Sequence, residues 1–112
     1  MKSEILVKNA REYYSDGMAS FKKGNYNSAV VLFFKSVVSL IDLFLLQQIG
    51  YTPSSHITRF SITKKNFPKV YDILDRDFPF YQDSYVKSMT KELVEVIKED
   101  AEIMAKETKT HL

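Results

Sequence analysis

Residues 26–49 read YNSAVVLFFKSVVSLIDLFLLQQI, framed by Gly24-Asn25 before and Gly50 after, with neither Gly nor Pro inside. A run of that length predicts one helix of roughly 36 Å at about 1.5 Å per residue, the full height of a small bundle. Apolar residues cover most of its circumference, so most of its circumference has to be covered by sibling helices, a second chain or lipid. Its polar residues Ser28, Lys35, Ser39 and Asp42 fall on one narrow stripe at about 100° per residue. Lys35 and Asp42 lie near the middle, where each costs several kcal/mol in hydrocarbon, so the pattern points to a core helix with one line to water and not to a membrane span.

The sequence on either side predicts more helices. Ser3 is placed to cap a first helix running to about Lys23, with Leu6, Ala10, Tyr13, Tyr14, Met18 and Phe21 at helical spacing. Gly24 can take the left-handed conformation that ends it, and Asn25 can cap the long helix, making an antiparallel hairpin. Gly50 ends the long helix. Ser54 or Ser55 starts a third helix with Ile57, Phe60 and Ile62 inward, and Pro68 begins a fourth at the favoured first position. Phe78–Ser88, containing Pro79, reads as an irregular segment, and Thr90 caps a last helix with Leu93, Val94, Ile97, Ala101 and Met104 inward. The expected fold is all-α, a single domain over residues 1–112, an up-and-down antiparallel bundle of four to five helices.

Composition narrows the function classes. The chain has 112 residues, a net charge of +2, no cysteine and two histidines, His56 and His111. Disulfides, thiolate metal sites and cysteine nucleophiles are excluded, a reducing cytosol is suited, and neither a metal nor a cofactor is expected. The charge is too mild to argue for nucleic acid by itself. No Gly-rich phosphate loop exists, because Gly17, Gly24 and Gly50 are far apart. Gly17, Ala29 and Phe33 stand at the spacing of a tetratricopeptide hairpin, where small residues let two helices cross closely. No second copy follows, so a generic helical hairpin is the better reading.

Lys23-Gly24-Asn25-Tyr26-Asn27-Ser28-Ala29 leading into a long apolar helix, then Gly50-Tyr51-Thr52-Pro53-Ser54-Ser55-His56, then Arg76-Asp77-Phe78-Pro79-Phe80-Tyr81, occur in that order. This layout, from about Tyr13 to Lys106, resembles the HEPN family, the higher eukaryote and prokaryote nucleotide-binding helical domains. The resemblance implies a nucleotide or RNA ligand and a separate minimal nucleotidyltransferase chain as partner, in a toxin–antitoxin-like pair. Ribonuclease members carry an Arg followed one to two turns later by a His. The arginines here are Arg11, Arg59 and Arg76, none with a His in that window, and His56 precedes Arg59. Binding without catalysis is therefore expected. The alternatives are a metal-independent ribonuclease using His56 as base and Arg59 as phosphate cation, or a helical interaction scaffold.

Two further expectations follow from the residues. A ligand site is expected beside the irregular segment: Arg76 to pair a phosphate, Tyr81 and Tyr85 to stack on a base, Asp83 to accept a hydrogen bond. A homodimer is expected through the 26–49 helix, because Val31, Phe34, Val38, Leu45 and Ile49 form a second apolar band beyond the bundle-facing one.

Overall fold

The computed structural model describes residues 1–112 and contains five helices and no strand: α1 Lys2–Lys22, α2 Tyr26–Ile49, α3 His56–Asn66, α4 Pro68–Asp83 and α5 Lys91–Glu107. The long apolar run is the central helix α2, and Ala29, Val30, Phe33, Val37, Leu40 and Ile41 on it are fully buried. It is the one helix long and apolar enough to span a bilayer, and its apolar stretch is mostly buried inside the bundle, as in a core helix.

The hairpin of α1 and α2 turns where the sequence says it should. Gly24 has φ +78° and Gly50 φ +84°, left-handed values that favour glycine at both helix ends. Where the helices cross, a Cβ on Gly17 would stand 2.9 Å from the Phe33 ring, so Gly is required there for close approach. One turn further along, the buried Ser36 hydroxyl donates to the Ala10 carbonyl at 2.8 Å, which satisfies a polar group inside the contact.

Caps at α3, α4 and α5 follow expectation. The Ser55 side chain accepts from the Thr58 amide, Pro68 opens α4, and the Thr90 side chain accepts from the Leu93 amide. At α1 and α2 they do not. The first helix starts at Lys2 with Ser3 inside it, and its start is tied to the loop after α2 by a Lys2 Nζ hydrogen bond to Thr52 Oγ1 at 3.0 Å. Asn25 occupies the cap position of α2, but its side chain caps nothing.

Three other expectations are corrected. Phe78–Asp83 is helix, not irregular, and only about 84–90 is a connection. Pro79 is tolerated because it sits on the solvent face with Asp75, whose carbonyl loses its helical donor where water can replace it. Phe78 and Tyr81, on the inner side, pack on Phe34 at ring distances of 6.0 and 4.8 Å and hold the helix through the proline. Ile57 is exposed, because α3 turns Arg59 and Thr63 inward instead. The second apolar band on α2 is largely closed within the chain: Phe34 lies under α4 and Leu45 is fully buried, leaving Val31, Val38 and Ile49 half-buried.

Candidate functional site

The polar stripe of α2 organises the site. Ser28 and Lys35 face water, Ser39 is buried, and Asp42 lies under α3. There Arg59 grips Asp42 with two charge-assisted bonds, Nε to Oδ1 at 2.7 Å and Nη2 to Oδ2 at 2.9 Å. Its Nη1 lies 3.0 Å from His56 Nδ1. A guanidinium only donates, so this nitrogen of His56 accepts. Partial desolvation of the ring, on a residue otherwise open to solvent, and then the Arg59 charge hold the His56 pKa below its ordinary value, against a smaller opposite pull from Asp42. The imidazole is neutral at pH 7.

Above this stripe opens a cleft of about 260 Å³ lined by Asn9 and Tyr13 of α1, Phe34, Lys35, Val38 and Ser39 of α2, His56 of α3 and Tyr81 of α4. Lys35 Nζ stands 5.7 Å from the centre of the Tyr13 ring, a cation over an aromatic face on one wall. On the other wall the His56 ring lies tilted against Phe78, 5.2 Å between centres, and the Tyr81 ring lies flat on Phe34. The Tyr81 hydroxyl shares a 2.9 Å hydrogen bond with that of Tyr85, which with burial keeps the Tyr81 phenol above its ordinary pKa.

The four residues expected to hold a ligand do not form one group. Tyr81 and Tyr85 are together, with Tyr81 in the cleft. Asp83 pairs with Lys87 at 3.6 Å on the surface. Arg76 projects toward α5, where Nη2 meets Asp100 at 2.6 Å and Nε stands 3.6 Å from Asp77. Asp77 is fully buried, and both its oxygens, with Oδ2 of Asp100, have no hydrogen-bond donor. Burial first, then the hydrogen bond that its own acid proton can give to the neighbouring Asp100 and the charge of that group, push the Asp77 carboxyl up to about 9, against the pull of Arg76. Asp77 therefore keeps its proton at neutral pH, while Arg76 pairs with Asp100.

His56 and Arg59 are brought together, but Arg59 is buried and spent on Asp42, so it offers no free cation to a scissile phosphate. The residue that orients this pair, Asp42, and the cleft members Lys35, Tyr13 and Asn9 had no assigned role in sequence. For Asp42 and Lys35 a signal existed, as charges interrupting an apolar helix, but a line to water explains charges equally well. Three larger hollows lie elsewhere. One of about 590 Å³, between the start of α1 and the C-terminal tail, has two apolar residues and no Phe or Tyr, and one of about 520 Å³ is lined by Phe44, Phe67 and Lys69 but takes no part in the polar stripe of α2. No protein-family model matches this chain, and no curated protein matches it.

Proposed function

We propose that the protein is a non-catalytic HEPN-like binding domain whose cleft takes a nucleotide, free or as one unit of an RNA. The observation that carries this reading is the pairing of Lys35 with aromatic faces around a recess: a cation for phosphate, and Tyr13 or Tyr81 as a platform for a base. At about 260 Å³ the recess lies just below the roughly 300–1,000 Å³ usual for drug-sized ligands, room for one nucleotide unit with any further chain outside. What supports binding over cleavage is the state of the His56–Arg59 pair, with the guanidinium occupied and the histidine nitrogen beside it already accepting.

The test is NMR titration with AMP and with a short single-stranded RNA. Shifts are expected at Asn9, Tyr13, Lys35, His56 and Tyr81, and Lys35→Gln is expected to weaken both ligands at least about tenfold, as loss of one charge-assisted hydrogen bond does. Shifts confined to Arg76 and Asp83, or none at millimolar ligand, reject the cleft. We also propose that the half-buried strip Val31, Val38 and Ile49 seats a second copy or a nucleotidyltransferase chain in the cytosol. Sedimentation showing only the 13.0 kDa species up to millimolar protein excludes the homodimer.

A further inference from the structure

We infer that His56 is the base-reading donor of the cleft, locked into its Nε2–H tautomer by the Asp42–Arg59 pair. This rests on the nucleotide reading and adds to it which group of the ligand is read and by which atom. The bidentate bond to Asp42 fixes the guanidinium plane, and that plane aims Nη1 at His56 Nδ1. Because Arg59 cannot accept, Nδ1 carries no proton, and the single proton of the neutral ring resides on Nε2. No protein group is hydrogen-bonded to Nε2, and the ring lines the cleft.

The direction of this donor follows from charge. Lys35 is on the Tyr13 side and is the only full charge lining the cleft. His56 is on the other side, uncharged, against Phe78, with the Arg59 charge behind it cancelled by Asp42. A phosphate is drawn to the Lys35 side, while an uncharged N–H beside an aromatic wall suits an acceptor atom on the edge of a stacked base. The ligand is thus a nucleoside phosphate recognised at both ends, and a sugar phosphate without a base forfeits one of them.

Two substitutions separate the nitrogens. The amide of Gln reaches about as far as Nε2 and keeps a donor there, whereas that of Asn reaches only to the place of Nδ1. His56→Gln is expected to bind AMP within about threefold of the original protein, and His56→Asn about tenfold more weakly, the loss of one hydrogen bond. Against ribose 5-phosphate the two variants should bind alike. Long-range proton–nitrogen NMR of the ring in the ligand-free protein should show a protonated Nε2 and a bare Nδ1. A protonated Nδ1, equal AMP affinities for the Gln and Asn variants, or an equal loss for ribose 5-phosphate overturns the inference while leaving a Lys35-dependent nucleotide site intact. Failure of AMP to bind the unaltered protein overturns the nucleotide reading, and this inference with it.

Discussion

Gly17 has no side chain, and the ring of Phe33 fills the space where one would stand. Replacing this glycine by Ala gains about 1 kcal/mol of helix propensity. It also presses a methyl into a buried ring, and overpacking of that kind costs about 1–3 kcal/mol. The second effect wins, so Gly17→Ala is expected to destabilise by about 1 kcal/mol in urea unfolding. In a Phe33→Leu background the obstruction is smaller and the same change is expected to stabilise. Equal signs in both backgrounds refute the account. This crossing was legible in sequence, because the spacing of Gly17, Ala29 and Phe33 carries its own geometry. The burial of Arg59 was not, since the apolar spacing of α3 favours turning Ile57 inward. Only the partner Asp42, 17 residues away, turns the helix the other way.

At the scale of the element, α4 carries two conflicts with local rules, Pro79 and Asp77. The proline misled the sequence reading because a helix break is its usual meaning, and what overrides it is the packing of Phe78 and Tyr81 onto α2. The buried acid has a measurable consequence in the α4–α5 joint. Unfolded, Asp77 titrates near its ordinary value of 3.8, and folded near 9. Between those limits the unfolded chain gives up a proton that the folded chain keeps. This group's contribution to stability is therefore complete below about pH 4, is lost progressively as pH rises, and levels off above about 9. An isosteric Asp77→Asn supplies a permanent N–H to Asp100 with no charge to bury. It is expected to be more stable than the original protein by up to several kcal/mol at pH 8, since each pH unit above 3.8 is worth about 1.4 kcal/mol, with the gain vanishing toward pH 4. Urea midpoints at pH 4, 6 and 8 check this, and a gain that does not grow with pH contradicts it.

For the whole molecule, the order and number of helices were readable because each carries its own period and end signals, and α2 left its neighbours one place to pack. The cleft was not readable, because it takes Asn9, Lys35, His56 and Tyr81 from four different helices, and no local pattern announces a meeting of that kind. The same is true of Asn27. Its amide donates to the Ser84 and Lys87 carbonyls at 2.8 and 2.7 Å and accepts from the Met89 amide at 2.9 Å, so one side chain near the start of α2 secures the connection between α4 and α5. Losing it is expected to cost about 1–3 kcal/mol. More telling is where that loss appears. Without the clasp, residues 84–90 can open as a unit of their own while the hairpin of α1 and α2 stays shut. In Asn27→Ala, deuterium should therefore enter the Met89 amide through a brief local excursion, while amides at Val30 and Val37 still wait for complete unfolding. A single polar side chain thereby sets whether this chain breathes in parts or comes apart all at once.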